Sequence, residues 1–215
     1  MGYADQTVAE IATRLPGATA VFRAHHIDYC CGGARPLAEV AAERAVPLAQ
    51  IEAELNALSP DAPQDAPRDT PALIGHILAR YHDVHRRELP ELLRLAERVE
   101  QRHAGNPKAP AGLRAALQEA AAALEEHMAK EEQILFPMMM QGGHPMITAP
   151  IGRMRFEHVE HGERLARLEE IAHGFELPEE ACPTWRALYT GVRKLIDDVH
   201  EHIHLENNLL FPRFG

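Results

Sequence analysis

Apolar residues recur at intervals of three and four along most of the chain, and prolines or glycines interrupt this repeat. The spacing is typical of amphipathic α-helices, and the alternating runs of Val and Ile that indicate β-strands do not occur in the sequence. In the N-terminal quarter the interruptions predict four short helices, which begin near Val8, Ala18, Pro36 and Pro47. The region 1–58 is therefore predicted to form a small all-helical domain.

A proline-rich stretch over 59–70 lacks apolar periodicity and is predicted to be a stiff linker. After it, the helical repeat continues in four longer runs that short loops separate. The four predicted helices run from Thr70 for about thirty residues with a kink at Pro90, from about 111 to Pro137, from about 149 to His173, and from between Pro178 and Pro183 to Pro212. Long helices with short connections predict an up-down-up-down four-helix bundle over 71–215 and an all-α fold class.

Each predicted bundle helix has histidine on the apolar face that should point inward. In the first helix the inward residues are Leu78, His82, His85, Leu89 and Leu92. In the second they are Leu113, Leu117, Ala120, Leu124, His127, Glu131 and Ile134. In the third they are Ile147, Ile151, Met154, His158, His161, Leu165 and Leu168. In the fourth they are Leu195, Val199, His202, Glu206 and Leu209, while His200 and His204 fall off this face.

Two segments of the predicted bundle share one motif. HMAKEEQILFP over 127–137 and HIHLENNLLFP over 202–212 both place Glu four residues after His, and Phe-Pro follows at nine and ten. A spacing of four puts both side chains on the same helix face, one turn apart. The second and fourth helices are therefore predicted to present the same inward pair of imidazole and carboxylate.

The depth of the inward histidines can be counted from the helix ends. At 1.5 Å per residue, four of them lie about 14–17 Å from the same end of the bundle, namely His82, His127, His158 and His202. Buried ionised carboxylates cost several kcal/mol each unless they are paired or bound to metal. Glu131 and Glu206 at this level therefore favour a metal site over the alternative, a buried network of His–Glu hydrogen bonds.

The ligand types indicate which metal to expect. Imidazole and carboxylate without thiolate disfavour a structural zinc site, exclude an all-oxygen calcium or magnesium site, and favour iron or manganese. Six ligands exceed what one tetrahedral ion takes, so two ions are predicted, with Glu131 and Glu206 as the candidates to bridge them. Each ion would then have a position left for a small ligand.

Charge narrows the choice of partners. The chain has 22 basic and 32 acidic residues, and its net charge of -10 repels polyanions. Nucleic acids and anionic membranes are therefore disfavoured, and small molecules, metals or proteins are expected. The sequence has no apolar run of membrane-spanning length and no pattern of a secretory signal, so a cytosolic protein is expected.

Two of the cysteines are adjacent, in DYCCGGARPL, where Cys30 and Cys31 precede two glycines and the helix predicted near Pro36. A helix N-terminus lowers the pKa of a nearby thiol, so both are predicted to be reactive, as redox or relay groups. A disulfide between neighbours is strained, which leaves a metal, a persulfide, a disulfide with a partner, or a simple tight turn open. Cys182 is expected to contribute to packing.

The order of DYCCGG, RYHDVHRRELPEL (80–92), HMAKEEQILFP, FEH (156–158) and HIHLENNLLFP resembles the repair-of-iron-centres family over essentially the whole chain. That resemblance implies a double-cysteine domain followed by a hemerythrin-like bundle with two non-haem iron ions, bridged by oxo or hydroxo. The implied iron ligands are His82, His127, Glu131, His158, His202 and Glu206, with the two glutamates as bridges. His85 and His161 lie outside this set and are expected to hydrogen bond to the ligands, with a transient metal position as the alternative.

The resemblance further implies a stress-response protein that repairs iron–sulfur clusters damaged by nitric oxide or peroxide. Reduction of nitric oxide, transfer of nitrosyl groups and donation of iron are three mechanisms that stay open, and so does enzymatic activity. The implied partners are nitric oxide or another diatomic molecule and damaged iron–sulfur proteins, and a homodimer stays open. The alternatives are a non-catalytic hemerythrin-like protein that binds or senses oxygen or nitric oxide, and a purely structural bundle.

Overall fold

The structure is a computed structural model that describes residues 2–59 and 66–215, so half of the predicted linker, 60–65, lies outside the described residues. Every regular element in these two ranges is a helix, which confirms the predicted all-α fold class. Among the described helices, none combines the length and the apolar character needed to cross a bilayer. The chain divides into two compact units, one of Met1–Leu73 with His200–Gly215 and the other of Ile74–Val199.

The N-terminal part of the first unit consists of short helices: α1 (Val8–Arg14), α2 (Ala18–Ala24), α3 (Leu37–Glu43) and α4 (Leu48–Asn56). Helix α1 begins at a capping box, because the Thr7 hydroxyl accepts the N–H of Glu10 and the Glu10 carboxylate accepts the N–H of Thr7. These helices enclose an apolar core in which Val8, Phe22, Leu37, Ile51 and Leu55 are completely buried.

The remaining helices are long and form four runs. The first run is α5 (Thr70–Ile77), the π-helical segment π1 (Leu78–His82) and α6 (Asp83–Arg102). The second is α7 (Leu113–Lys130), π2 (Glu131–Leu135) and α8 (Phe136–Met140). The third is α9 (Thr148–Ile171), and the fourth is α10 (Pro183–His204), π3 (Leu205–Leu210) and a 3₁₀ turn (Phe211–Arg213). The four predicted bundle helices match these runs, and α6 continues as helix through Pro90.

Within the second unit, α7 packs against both α6 and α9. Helix α10 approaches α6 closely at Gly191, where a Cβ atom would lie only 2.5 Å from Cδ2 of Leu92. The absence of a side chain at this position therefore permits the close contact. Asp198 of α10 also binds Arg80 and Lys194, with nitrogen–oxygen distances of 2.8 Å to each. The second unit is thus a helical bundle that combines apolar packing with ion pairs at its rim.

The π-helical segments correct the predicted inward face at three positions. Each segment bonds a backbone N–H to the carbonyl five residues earlier, which inserts one residue into the turn. The predicted inward residue Ile134 is 54% exposed as a result, and its neighbour Leu135 is only 1% exposed. The same displacement replaces Leu209 by Leu210, and Leu78 by Ile77, as the buried residue. In all three cases the buried residue lies one position farther along the chain from a proposed ligand than the residue predicted to be buried. These ligands are Glu131 for Leu135, Glu206 for Leu210 and His82 for Ile77.

Candidate metal centre

Two histidines of the second unit face the carboxylate of Glu131. Nε2 of His82 lies 3.4 Å from Oε2 of Glu131, and Nε2 of His127 lies 3.3 Å from Oε1. His82 ends π1, Glu131 begins π2, and His127 lies one helical turn before Glu131 on α7. None of the three residues is more than 1% exposed. The carboxylate therefore has one imidazole at each of its oxygens, in a site that excludes water.

The other ring nitrogen of each of these histidines contacts a second carboxylate. Nδ1 of His82 lies 2.7 Å from Oε1 of Glu132, and Nδ1 of His127 lies 2.9 Å from Oε2 of Glu157. Sequence reasoning missed both glutamates, although each immediately follows or precedes a predicted ligand. Histidines that bind metals commonly donate their second N–H to such a carboxylate, which fixes the ring and its tautomer.

Glu157 is held ionised by its surroundings. The hydrogen bond with His127 is the largest cause that keeps the pKa of Glu157 well below its usual range, and burial opposes it. Lys130 and Arg153 reinforce the shift, because Nζ of Lys130 and Nε of Arg153 each lie 2.7 Å from Oε1 of Glu157. An ionised carboxylate only accepts hydrogen bonds, so Nδ1 of His127 carries a proton.

Glu132 has a similar environment nearer the surface. Its partial burial opposes ionisation, but hydrogen bonds from Arg86 and His82 outweigh that effect and lower the pKa of Glu132. Nη1 of Arg86 lies 2.7 Å from the same Glu132 oxygen that His82 contacts. The Nδ1 atom of His82 is therefore protonated as well, and its Nε2 atom faces Glu131.

A third histidine of this unit joins the group. Nε2 of His158 lies 3.1 Å from Nε2 of His127, and the two rings meet edge to face with centroids 4.8 Å apart. His161 lies one turn later on α9, is 5% exposed, and has its ring centroid 4.9 Å from that of His127. His85 is also buried, with its ring centroid 6.3 Å from that of Tyr81. Two Nε2 atoms that approach each other and a carboxylate this closely form a favourable site for a cation.

His202 and Glu206 of the first unit repeat the relation between His127 and Glu131. Nε2 of His202 lies 3.2 Å from Oε1 of Glu206, both side chains are 0% exposed, and Glu206 lies in π3. Each copy of the repeated sequence motif is therefore a helical turn with His and Glu on one face, followed by a widened turn and Phe-Pro. The two copies of the motif thus each supply one buried carboxylate, Glu131 in the first copy and Glu206 in the second.

The predicted ligands fall into two groups of buried donors, each with one atom from four side chains within 4.8 Å of one another. One group is His82, Glu131, His202 and Glu206, and the other is His127, Glu131, His158 and Glu206. Both glutamates belong to both groups. Each group offers two imidazoles and two carboxylates without a thiolate, so these residues fit a metal site.

The cysteine pair lies in a loop of the first unit that is organised around Asp28. Oδ1 of Asp28 accepts the N–H groups of Cys30 and Cys31 at 3.0 and 2.9 Å, and Oδ2 accepts the N–H of Gly32 at 2.8 Å. The Cys30 thiol lies 3.3 Å from Oδ1 of Asp28 and 3.8 Å from the Cys31 sulfur. Asp28, Cys30 and Cys31 form a third group of donor atoms within 4.8 Å of one another.

The predicted lowering of the thiol pKa is wrong for Cys30. Hydrogen bonding with the Cys31 thiol is the largest cause that raises the pKa of Cys30 well above its ordinary value, and burial and the charge of Asp28 add to it. The loop brings a carboxylate, and not a helix N-terminus, next to the thiols. Cys182 is half-buried, and its sulfur lies 3.3 Å from Nε2 of His103.

The loop is attached to π3 within the first unit. Nδ2 of Asn207 donates to the carbonyl of Cys30 at 2.9 Å, and Nδ2 of Asn208 donates to the carbonyl of Tyr29 at 3.0 Å. His204, which the sequence pattern leaves off the inward face, is buried with its ring centroid 5.4 Å from that of Tyr29. Burial lowers the pKa of His204, so its imidazole stays neutral. Residues that directly follow Glu206 thus hold the backbone of the cysteine loop.

The fold and the buried donors define a metal-binding helical bundle whose chain also carries a small helical region with a cysteine pair. Residues 73–214 match the family described as Hemerythrin HHE cation binding domain, and the chain belongs to this family. Residues 4–59 match a second family, described as Domain of Unknown function (DUF542).

The chain is also similar to curated proteins along its whole length. It is 46% identical over 215 residues to the iron-sulfur cluster repair protein YtfE of Escherichia coli O81 (strain ED1a). The matched region covers 99% of this chain and 98% of that protein. The YtfE protein of Escherichia fergusonii has the same identity and the same coverage. These matches confirm the resemblance to the repair-of-iron-centres family that the sequence motifs indicate.

Proposed function

We propose that this protein repairs iron–sulfur clusters damaged by nitrosative or oxidative stress, and that it does so through a non-haem di-iron centre. The main support is the pair of four-residue donor groups that share Glu131 and Glu206. The names of the full-length relatives, iron-sulfur cluster repair proteins, support the choice of substrate. The three cysteines are free thiols, which fits a cytosolic, reducing setting.

In this proposal six side chains hold two iron ions. His82 and His202 would bind one ion, His127 and His158 the other, and both glutamates would bridge them. With an oxo or hydroxo bridge, each ion would have about five ligands and one position for a small molecule. When bound, the ions supply redox chemistry toward a diatomic molecule such as nitric oxide, or serve as cargo for rebuilding a cluster.

The protein residues around the donors would keep the site ready for metal. Glu132 and Glu157 hold the Nδ1 protons of His82 and His127, so both rings keep an Nε2 lone pair available. Phe136 stacks on His82 with ring centroids 5.8 Å apart and restricts the movement of that ring. His161, whose ring lies beside that of His127, would donate hydrogen bonds to the ligands or to the small molecule.

Burial gives the two glutamates their role. Glu131 and Glu206 are each 0% exposed, and two ionised carboxylates in one apolar layer would repel each other and lose their hydration. Two divalent or trivalent cations remove both penalties. The site is therefore expected to gain considerable folding free energy when iron binds, because the native state binds the metal and the unfolded chain does not hold a preformed site.

The function can be tested by the recovery of an iron–sulfur enzyme inactivated with nitric oxide. The iron-loaded protein should restore activity, whereas His127→Ala and Glu131→Ala should not, because each removes a buried donor. His144→Ala is the matched control, since His144 is an exposed loop histidine. Normal recovery by demetallated protein would refute the proposal. Stable, reversible oxygen binding without any recovery would favour the alternative, a hemerythrin-like binding or sensing protein.

A further inference from the structure

The group of Asp28, Cys30 and Cys31 lies in the first unit and shares no residue with the histidine–glutamate groups. We propose that these three side chains bind a single thiophilic divalent cation, of the zinc and ferrous class, through two thiolates and one carboxylate oxygen. Soft thiolate donors select such ions over magnesium and calcium. This site goes beyond the proposed function and does not depend on it.

The distances between the donor atoms fit a tetrahedral ion. With metal–sulfur bonds of about 2.3 Å and a metal–oxygen bond of about 2.0 Å, tetrahedral angles place the two sulfurs about 3.8 Å apart and sulfur and oxygen about 3.5 Å apart. The structure has 3.8 Å between the Cys30 and Cys31 sulfurs and 3.3 Å between the Cys30 sulfur and Oδ1 of Asp28. An ion could therefore enter with only small movements of the side chains.

The same distances argue against a disulfide as the resting form of the pair. A disulfide needs sulfurs about 2.05 Å apart. The sulfurs would have to close from 3.8 Å within a loop whose backbone Asp28 and Asn207 hold by hydrogen bonds. A tetrahedral ion, by contrast, fits the observed distance of 3.8 Å between the two sulfurs.

The backbone of the loop holds the donors in place before any ion binds. Three N–H groups orient the carboxylate of Asp28, and Asn207 and Asn208 hold the carbonyls of Cys30 and Tyr29. Gly33 closes the loop, because a Cβ there would lie 2.7 Å from the carbonyl oxygen of Tyr29 and 2.9 Å from Cβ of Ala9. Preorganised donors lose less conformational freedom on binding and so bind more tightly.

The site is also accessible from one side. Cys30 is buried, but Cys31 is half-buried and Asp28 is exposed, so an ion can approach past the carboxylate. Three donors leave the fourth tetrahedral position for water or for a ligand from another protein. Structural zinc sites have four protein ligands, whereas a site with three protein ligands keeps a position open for water or another ligand.

Cobalt is a suitable probe, because Co²⁺ bound to thiolate gives a sulfur-to-metal absorption in the near ultraviolet that histidine and carboxylate donors do not give. Reduced full-length protein, titrated with Co²⁺ without oxygen, should develop this band with about one ion per chain. The band should disappear in Cys30→Ser/Cys31→Ser, and Asp28→Asn should weaken binding about tenfold or more. Cys182→Ser, a half-buried thiol elsewhere in the chain, is the matched control and should keep the band.

Two results would overturn the proposal. One is a wild-type protein with titratable thiols that shows no sulfur-to-cobalt band. The other is a band that persists in Cys30→Ser/Cys31→Ser. Circular dichroism of each variant checks folding, and Cys31→Ala serves where the double variant does not fold, because residue 31 is half-buried. Glu131→Ala should keep the thiolate band while it loses metal from the bundle, which separates this site from the di-iron centre.

Discussion

His127 and Glu157 are hydrogen bonded, with Nδ1 of the imidazole 2.9 Å from Oε2 of the carboxylate, and the same imidazole presents Nε2 to Glu131 at 3.3 Å. One side of the ring is thus fixed by a carboxylate that Lys130 and Arg153 also bind, and the other side faces a proposed metal ligand. This relation places a proton on Nδ1 of His127 before any metal is bound. Glu132 has the same relation to His82, so two of the proposed ligands are oriented in the same manner.

Replacement of Glu157 tests this orientation. Glu157→Gln removes the charge that holds the Nδ1 proton of His127, and we expect affinity for iron to fall about tenfold while the helical content is unchanged. Competition with a chelator measures the affinity. Glu163→Gln changes an exposed glutamate of the same helix and should leave the affinity as it is. An equal affinity in Glu157→Gln and wild type would contradict the role assigned to Glu157.

Replacement of Glu206 separates metal binding from folding. Leucine suits an apolar position and removes a buried charge, so Glu206→Leu should keep the fold and melt at the same or a higher temperature without metal. With iron it should bind about one ion instead of about two, because a bridging ligand is lost. Metal analysis and thermal unfolding measure the two effects. A variant that retains both irons would show that Glu206 is not a ligand.

Asp198 should make stability depend on pH. Burial opposes its ionisation, but hydrogen bonds from Arg80 and Lys194 outweigh burial and lower the pKa of Asp198 below its ordinary value of 3.8. Its contribution is therefore present above about pH 4 and is lost as the pH falls through the lowered folded-state pKa. Asp198→Asn should cost about 1 kcal/mol at pH 7, a small value because the side chains of both cationic partners are nearly half exposed.

Urea unfolding of metal-free wild type and Asp198→Asn across a pH series measures this difference. The free energies of unfolding should converge as the pH decreases below about 4. Asp83→Asn, at an exposed aspartate of α6, is the control and should track wild type at every pH. A difference that stays constant down to pH 2 would show that the carboxylate charge does not matter.

The two asparagines after Glu206 should control access to the cysteine loop. Asn207→Ala/Asn208→Ala removes the hydrogen bonds to the carbonyls of Cys30 and Tyr29, and we expect Cys30 to react severalfold faster with an alkylating reagent. Peptide mass spectrometry measures the rate at each thiol. Cys182, near His103, is an internal reference and should react at an unchanged rate. An unchanged rate at Cys30 would mean that the asparagines do not hold the loop.

Helical periodicity was sufficient to predict the helices and most buried positions, because the interruptions by Pro and Gly are sharp and the apolar spacing is regular. It failed next to the proposed ligands. Ile134 was predicted to point inward and is 54% exposed, because π2 inserts one residue that a regular repeat does not contain. Widened turns often occur at functional sites, and the proposed ligands lie beside them, where the pattern is least regular.

Residues that orient the proposed ligands, and do not themselves bind metal, are harder to predict from the sequence. Glu157 and Glu132 are ordinary acidic positions in a helix, and only the fold shows that they contact Nδ1 atoms of buried histidines. His204 lies off the inward face in the pattern, yet it is buried against Tyr29, a residue distant in the chain. The thiol pKa was also mispredicted, because the sequence does not reveal that Asp28 folds back onto the cysteines.

The iron content of anaerobically purified protein tests the central claim most directly, when it is compared with Glu131→Ala/Glu206→Ala. We predict about two irons per chain in the wild type, with the near-ultraviolet absorption of a bridged pair, and loss of both in the variant. Wild-type protein that is free of iron and whose melting temperature does not rise when iron is added would contradict the claim. Full iron content in the variant would contradict it equally.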